Sequence, residues 1–194
     1  MGEQIMQSFY SKEELSDIKF AYCGDNVKIS RNAKFYSTEK MSIGNNVRID
    51  DFCILSGKIS IGNNIHIAAY SAIYGGDAGV IICDYSNISS RVSIYALSDD
   101  YSGETMTNPT IPSEYKNVFS KQVYIGKHVI IGSTSVVMPG VEIAEGGSFG
   151  CFSYINRNSD PWSINVGIPF EKIRNRSRNI LELEKIYEKH KQEY

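Results

Sequence analysis

Residues 43–67 read IGNNVRIDDFCILSGKISIGNNIHI, in which an aliphatic residue returns at every sixth position. A period of six is neither that of an α-helix nor that of a flat amphipathic strand. It predicts a parallel β-helix built from hexapeptide repeats. The series runs through most of the chain and comprises Cys23, Ile29, Phe35, Ile43, Ile49, Leu55, Ile61, Ile67, Ile73, Ile82, Ile88, Ile94, Ile125, Ile131, Val137, Ile143, Phe149 and Ile155.

Each hexad is predicted to form one short strand and one turn, with the aliphatic residue pointing inward. Three hexads close one triangular coil, so that Ile43 lies under Ile61 and Ile49 lies under Ile67. Successive coils pair in parallel at a spacing of about 4.8 Å. The repeats therefore predict an all-β fold, a parallel β-helix of about six triangular coils and about 29 Å in length.

The repeat is interrupted at three places, and all three lie at the same corner of the predicted triangle. The spacing widens after Phe35, after Ile73 and, by the largest amount, after Ile94. A rigid scaffold usually carries its chemistry on loops, so we interpret this edge as the functional one. The alternative is that an exposed corner simply tolerates insertions.

The chain of 194 residues is predicted to form one domain, in which the two terminal regions differ from the hexapeptide repeats. Residues 1–20 form an N-terminal capping region, residues 21–169 form the β-helix with a protruding loop at 98–122, and residues 170–194 form a helical tail. A solenoid needs a cap at each end because a terminal coil cannot bury its own apolar face.

Two helices are predicted in these end regions. Ser11 and Glu14 form a capping-box pattern, which predicts a short helix from Lys12 to about Ile18. The C-terminal tail is rich in Glu, Lys, Arg and Leu. Its apolar residues recur at helical spacings, which favours an amphipathic helix, and they are Ile173, Ile180, Leu183 and Tyr187.

Composition excludes several classes of protein. The net charge of −2 and the pI of about 5.9 argue against nucleic-acid binding. No apolar run approaches the length of a membrane span, and no signal-peptide pattern opens the chain, so we expect a cytoplasmic protein without membrane insertion. The four cysteines show no zinc-binding spacing, and they are not expected to form disulfides in the cytoplasm.

Two motifs near the C-terminal end resemble a known family. Residues 123–143 contain Ile-Gly-Lys-His-Val-Ile-Ile-Gly and Val-Met-Pro-Gly-Val-Glu-Ile, and residues 167–174 read Gly-Ile-Pro-Phe-Glu-Lys-Ile-Arg. This pairing resembles the hexapeptide-repeat acetyltransferases, in the branch that holds the galactoside, maltose, xenobiotic and O-antigen sugar acetyltransferases. The hexad register extends the similarity over most of the chain.

The resemblance implies a left-handed β-helix that assembles as a homotrimer, with active sites between neighbouring prisms and acetyl-CoA as co-substrate. It implies no metal. Its pantetheine-side residues would be Gly132, Ser133 and Cys151. Its nucleotide-side residues would be Asn156, Arg157, Lys172 and Arg174, of which the cations suit the phosphates of the coenzyme.

The chain departs from this family at the general base. A histidine of the protruding loop deprotonates the acceptor hydroxyl in the family, but Asp99 stands at that position and the loop contains no histidine. A carboxylate serves as a general base near neutral pH only where burial or a neighbouring charge, here that of Asp100, raises its proton affinity. His66, one coil below the loop, is the second candidate because it could face a neighbour's loop in a trimer.

The missing histidine also bears on the acceptor. An amine is a better nucleophile than a hydroxyl and needs less help, so the sequence favours an amino sugar or an O-acetyl transfer that uses Asp99 or His66. Asp100, Tyr101 and Tyr74 are candidate substrate-binding residues on the same edge, although the tyrosines would equally suit a trimer interface.

The sequence thus predicts acetyl-CoA-dependent transfer of an acetyl group to a hydroxyl or amino group of a sugar, either nucleotide-linked or destined for a cell-surface polysaccharide. The alternative is a catalytically inactive trimeric scaffold. A γ-type carbonic anhydrase is disfavoured because it needs three metal-binding histidines on nearby coils, whereas His66, His128 and His190 are widely separated and the last lies beyond the repeats.

Overall fold

A computed structural model describes residues 8–192, which form a left-handed parallel β-helix with a helix near each end. The helices are α1 (Lys12–Asp17) and α2 (Ile180–Gln192). The strands are β1 (Tyr22–Cys23), β2 (Lys28–Ile29), β3 (Lys34–Tyr36), β4 (Met41–Ile43), β5 (Val47–Ile49), β6 (Ile54–Ile61), β7 (Ile65–Ile67), β8 (Ala72–Ile82), β9 (Asn87–Ile88), β10 (Ser93–Tyr95), β11 (Leu97–Ser98), β12 (Phe119–Ser120), β13 (Val123–Ile125), β14 (Ile130–Ile131), β15 (Val136–Val137), β16 (Glu142–Ile143), β17 (Ser148–Phe149), β18 (Tyr154–Ile155), β19 (Ser163–Val166) and β20 (Glu171–Asn175).

The strands stack into three columns that form the faces of the prism. The first column contains β1, β4, the end of β6, the end of β8, β13 and β16. The second contains β2, β5, β7, β9, β14, β17 and β19, and the third contains β3, the start of β6, the start of β8, β10, β15 and β18. We call the edge between the first and second columns the first corner, that between the second and third the second corner, and that between the third and first the third corner.

The observed register confirms the coil of three hexads. Ile43 pairs with Ile61 and Ile49 pairs with Ile67, as the repeat predicts. These aliphatic residues point into the prism and are almost completely buried. Each coil therefore contributes three apolar rungs to a continuous core, and stacking stabilises coils that could not fold singly.

The prism is slightly longer than the predicted six coils. β19 adds part of a seventh, and its Asn165 pairs with Phe149 of β17. Asn165 is buried and donates to the hydroxyl oxygen of Ser163 at 2.8 Å. The hexad pattern missed this turn because a hydrogen-bonded asparagine replaces the aliphatic residue.

Both ends of the prism are capped. The predicted N-terminal helix is confirmed, because the Ser11 amide donates to Glu14 at 2.7 Å and the Glu14 amide donates to the Ser11 hydroxyl. At the other end β20 pairs antiparallel with β19. The prediction that Ile173 lies in the tail helix is therefore wrong, because Ile173 lies in β20. This strand satisfies the backbone hydrogen bonds at the otherwise open edge of β19.

All three insertions lie at the third corner, which confirms the shared edge. The first forms a 3₁₀ turn at Thr38–Lys40, the second lies within β8, and the third is the loop between β11 and β12. Lys40 forms a 2.9 Å ion pair with Asp77, which joins the first two insertions. Gln122 donates to the carbonyl oxygen of Ala78 at 3.4 Å and so connects the base of the third insertion to the second.

Candidate active site

The large loop leaves the prism on a short antiparallel hairpin formed by β11 and β12. Inside the loop, Asp100 accepts hydrogen bonds from the Ser102 amide at 2.8 Å and from the Thr105 hydroxyl at 2.9 Å. These hydrogen bonds, first those from Ser102, hold the pKa of Asp100 below its ordinary value. Asp100 is therefore a charged residue whose two oxygens are engaged in shaping the loop.

A cleft of about 610 Å³ separates this loop from the third column. Asp99, Tyr101 and Lys116 line its loop side, while Tyr95 and Val136 line its prism side. Asp99 is exposed, and Tyr101 is 92% exposed. In a single chain the Asp99 carboxylate is therefore open to solvent, where a substrate or a second copy could contact it.

Tyr74, a candidate substrate-binding residue, lies next to this cleft but does not line it. Its ring stacks on that of Tyr95 with centroids 5.2 Å apart and planes 13° apart. Tyr74 and Tyr95 pair across β8 and β10, so the stack runs along the prism axis. It supports the prism wall of the cleft with a rigid aromatic surface.

The structure brings the predicted pantetheine-side residues together at the second corner. A Cβ atom added to Gly132 would lie only 2.6 Å from the Cys151 amide nitrogen, so the two turns are in close contact. Ser133 is half-buried, Cys151 is exposed, and the Ser133 hydroxyl lies 3.3 Å from that of Ser90 in the coil before. Small side chains thus form a shallow row parallel to the prism axis, which suits a rod-shaped ligand.

The predicted nucleotide-side residues lie around the C-terminal end of the prism and are partly engaged. Arg157 donates to the carbonyl oxygen of Phe170, and Lys172 forms a 3.1 Å ion pair with Asp160. Arg174 is exposed on β20, and Asn156 is exposed after β18. Among the described residues Arg174 forms no ion pair, so it is the cation most available to a phosphate.

His66 lies on the second column, away from the loop of its own chain. Its Nε2 atom lies 2.7 Å from Asp50, which also accepts from Arg48 at 2.7 Å. Burial raises the pKa of Asp50, but the hydrogen bonds from His66 and Arg48 outweigh it and lower the pKa overall. Because the third corner is opposite the second column, one chain does not bring His66 and Asp99 together.

Among the described residues the structure shows neither a cluster of metal ligands nor a helix that could span a membrane. His128 is buried at the first corner, in the turn between β13 and β14, whereas His66 lies on β7 of the second column. Within residues 8–192 no three His, Cys, Asp or Glu side chains are grouped as metal ligands would be. In the same part of the chain no helix has the length and apolar character needed to span a membrane.

Sequence reasoning missed one residue of the second corner, Ser89. It occupies the turn position that Gly132 and Gly150 occupy in the following coils, because Ile88, Ile131 and Phe149 form one register. Ser89 thus continues the row of Gly132 and Cys151 toward the N-terminal end. The hexad count could have identified Ser89, because it places the hydroxyl of this residue next to the predicted pantetheine positions.

Comparisons with known proteins agree with this geometry. No protein-family model matches the chain. A dTDP-4-amino-4,6-dideoxy-D-glucose acyltransferase from Escherichia coli is 48% identical over 183 residues, which cover 93% of this chain and 95% of that protein. A solved variant of AntD, an N-acyltransferase from Bacillus cereus in complex with dTDP and coenzyme A, is 51% identical, with a TM-score of 0.94 over 95% of this chain and 100% of the other.

Two further findings come from the solved structures. Several of the AntD structures carry a substitution at one aspartate or at one serine, and those two residues stand ten positions apart in AntD. A galactoside acetyltransferase in complex with coenzyme A is 22% identical, with a TM-score of 0.56 over 86% of this chain and 70% of the other. At that identity the likeness shows the shared fold alone.

Proposed function

The chain belongs to the hexapeptide-repeat sugar acyltransferases, and from this premise we propose that it transfers an acyl group from coenzyme A to the 4-amino group of a dTDP-linked 4-amino-4,6-dideoxy sugar. The observation that carries the proposal is sequence identity. The chain is 48% identical to an enzyme named for that acceptor and 51% identical to one solved in complex with it, over almost the full length of each pair. The absence of a histidine from the loop supports an amine rather than a hydroxyl acceptor.

We assign Asp99 and Ser89 as the residues next to the reacting atoms. AntD has been solved with substitutions at an aspartate and at a serine ten positions before it. In this chain only two aspartates have a serine at that distance, Asp99 with Ser89 and Asp100 with Ser90. Because Asp100 uses both carboxylate oxygens within the loop, Asp99 and Ser89 are the pair free to act.

The proposed reaction follows from the properties of the amine. The free amine attacks the thioester carbonyl carbon, a C–N bond forms, the C–S bond breaks, and coenzyme A leaves as the thiolate. Asp99 accepts a hydrogen bond from the amine and stabilises the positive charge that develops on nitrogen. The amine proton passes to the thiolate or to water, so that the products are the amide and the free thiol. Ser89 can donate its hydroxyl hydrogen to the thioester oxygen.

For the coenzyme we assign the row at the second corner. Gly132, Ser133 and Cys151 would lie along the pantetheine arm, with Lys172 and Arg174 beyond them toward the phosphates. Lys172 would have to exchange its ion pair with Asp160 for a phosphate, which an exposed pair allows because such pairs contribute little stability. Arg157 is bound to Phe170 and Glu171, and we assign it to positioning that turn.

The protein is further proposed to act as a homotrimer, with each site between two copies. From β6 onward the third column has a row of outward residues that are half-buried in the single chain, and they are Ile54, Ala72, Ser93, Val136 and Tyr154; the exposed Lys34 precedes them on β3. Those of the second column include Lys28, Arg48 and His66. A second copy that packs on the third column would bring its second corner to the cleft beside Asp99.

Since both substrates are cytoplasmic metabolites, we place the reaction in the cytoplasm, as a step in building a cell-surface polysaccharide.

A direct assay tests the proposal. The protein is incubated with dTDP-4-amino-4,6-dideoxyglucose and either acetyl-CoA or 3-hydroxybutyryl-CoA, and thiol release is measured together with the mass of the product. We expect one thiol per amide formed. The matched acceptor is dTDP-6-deoxyglucose, which carries a hydroxyl in place of the amine and should not react. Thiol release with the hydroxyl sugar but not with the amine would contradict the proposal.

A further inference from the structure

The left-handed turn position is filled differently at two corners of the prism. At the first corner the N-terminal coils place Asn26, Asn46 and Asn64 there, with φ between 52° and 56°. Asparagine tolerates this conformation, and Asn46 and Asn64 are joined by a 3.0 Å side-chain hydrogen bond. The asparagine side chains of this row form hydrogen bonds with one another, so the row needs no ligand.

At the second corner the same turn position holds bulky residues. Phe52 has a φ of 60°, Tyr70 of 64° and Arg91 of 61°. A bulky side chain in the left-handed region is an unfavourable choice by about 1–2 kcal/mol, and here it recurs on three successive coils. Phe52 and Tyr70 are also 50% and 55% exposed, so burial of their rings by this chain does not compensate. Tyr85 and His128 take the same conformation at the first corner, but they pack on each other and Tyr85 also contacts Tyr187 of α2, whereas Phe52 and Tyr70 remain exposed.

These three side chains form one stack along the prism axis. The rings of Phe52 and Tyr70 lie 5.0 Å apart with planes 24° apart, and the Arg91 guanidinium lies 5.7 Å from the centre of the Tyr70 ring. Tyr70 is therefore covered on both sides, whereas Phe52 has one free face. That face looks toward the preceding coil, where Asn32 occupies the corresponding turn and offers no ring.

A depression of about 250 Å³ lies at this free face. It is lined by Asn32, Lys34, Phe52, Cys53 and Ile54. An aromatic face suits any nucleobase. The Asn32 carboxamide donates one hydrogen to Asp51 at 3.3 Å and keeps a second donor and its acceptor, which suits the imide edge of a thymine or uracil.

The position along the corner agrees with this ligand. The proposed coenzyme row occupies the fifth and sixth coils, Ser89 lies in the fourth, and Phe52 lies in the second. Two coils separate Ser89 from Phe52, which is about 10 Å. A sugar whose amine reacts beside Ser89 would therefore extend its diphosphate past Arg91 and Tyr70, and its base would reach the free face of Phe52.

We propose that the stack of Phe52, Tyr70 and Arg91, with Asn32, is the subsite for the pyrimidine base and diphosphate of the acceptor. The inference rests on the proposed function, because Ser89 sets the position of the reacting amine. It adds that the nucleotide lies along the N-terminal coils of the second corner, collinear with the coenzyme on the C-terminal coils. The base stacks on Phe52 beside Asn32, and the diphosphate pairs with Arg91.

The test is calorimetric titration of dTDP alone, so that no acyl transfer is needed. Phe52→Leu removes the aromatic face and keeps an apolar side chain. The matched control is Phe152→Leu, because Phe152 has the same turn position at the same corner, a φ of 59° and 61% exposure, but lies in the sixth coil. We expect Phe52→Leu to weaken dTDP binding roughly 5- to 150-fold and to leave coenzyme A affinity unchanged, while Phe152→Leu keeps dTDP affinity. Phe52→Trp should restore binding.

Several outcomes would overturn the inference. One is dTDP affinity within twofold of the wild type in Phe52→Leu, and another is an equal loss in Phe152→Leu. A third is loss of dTDP binding only together with dissociation of the assembly, measured by light scattering, since that would mean that Phe52 packs between copies. If Phe52→Leu loses dTDP binding as expected but the wild type acylates no amino sugar, the subsite stands and the proposed function fails.

Discussion

The Nε2 atom of His128 lies 2.8 Å from the Glu184 carboxylate, and this contact joins the first corner of the prism to α2. Lys127 binds the other carboxylate oxygen of Glu184. The His128 ring is also stacked on Tyr85, at 5.1 Å, and its side chain is only 1% exposed. The tail helix is therefore held to the side of the prism by Glu184, which pairs with two adjacent residues, and by Glu188, which accepts a hydrogen bond from the Tyr85 hydroxyl.

Replacing Glu184 should loosen α2. We expect Glu184→Gln to lower the free energy of unfolding by about 1–3 kcal/mol, because it leaves the buried His128 without its charged partner. Urea denaturation measures the change. The control is Glu182→Gln on the same helix, whose ion pair with Lys185 is exposed and should contribute less than about 1 kcal/mol. Equal effects of the two substitutions would show that His128 and Glu184 do not hold the helix.

The same contact predicts a dependence on pH. Burial raises the pKa of Glu184, but the hydrogen bonds from Lys127 and His128 outweigh it, so the folded-state pKa lies below the ordinary value of 4.5. The unfolded state then binds more protons near that pH, and stability rises with pH there. The contribution of Glu184 should be complete above pH 4.5 and should be lost as the pH falls further. The difference in unfolding free energy between wild type and Glu184→Gln should therefore shrink at acidic pH.

Most of the prism could be predicted because its architecture repeats a local rule. An inward aliphatic residue at every sixth position fixes strand, turn and column together, so a count alone places Ile67 over Ile49. The rule fails where the inward residue is polar, as at Asn165, and where the chain reverses direction, as at Ile173. There the structure depends on hydrogen bonds between β19 and β20, which leave no period in the sequence.

The candidate site was less predictable than the prism. Asp99 and the row at Gly132 were predicted from a resemblance combined with the hexad count, while Ser89 and Phe52, which we propose for the site, were not predicted because a repeat describes only what its positions share. The unusual residues at the second corner become visible only when their φ angles and stacking are known. The pairing of Asp99 with the row also needs a second copy, since one chain places the two at different corners.

Assembly is the next prediction. Light scattering should give three times the chain mass of 21.7 kDa. Ala72 points outward from the third column and is half-buried, so Ala72→Glu should place a charge in the interface and produce monomers. Ser60 is the matched control, because it points outward from the first column in the same coil and Ser60→Glu should remain trimeric. A wild-type monomer at micromolar concentration would contradict both the trimer and the shared site.

Coenzyme binding gives another prediction. Cys151→Trp should block coenzyme A, because the bulky ring would fill the shallow row at the second corner while the exposed turn keeps its fold. The control is Glu145→Trp, which places the same ring at the corresponding turn position of the first corner, also exposed. Calorimetry should show coenzyme A binding lost in the first variant and kept in the second. Normal binding by Cys151→Trp would mean that the row is not the pantetheine site.

The chemistry of the loop yields the last prediction. Asp99→Asn keeps a side chain of the same shape but removes the charge beside the amine, so kcat should fall by about 10²–10³-fold, the usual contribution of one preorganised group aimed at a developing charge, while assembly and coenzyme A affinity stay unchanged. His66→Ala is the companion variant. His66 is bound to Asp50, which is already ionised and paired with Arg48, so its loss should leave kcat nearly unchanged. Full activity in Asp99→Asn together with loss in His66→Ala would assign the base to His66. Full activity in both variants would mean that the attack of the amine needs neither side chain and that the loop only binds the acceptor.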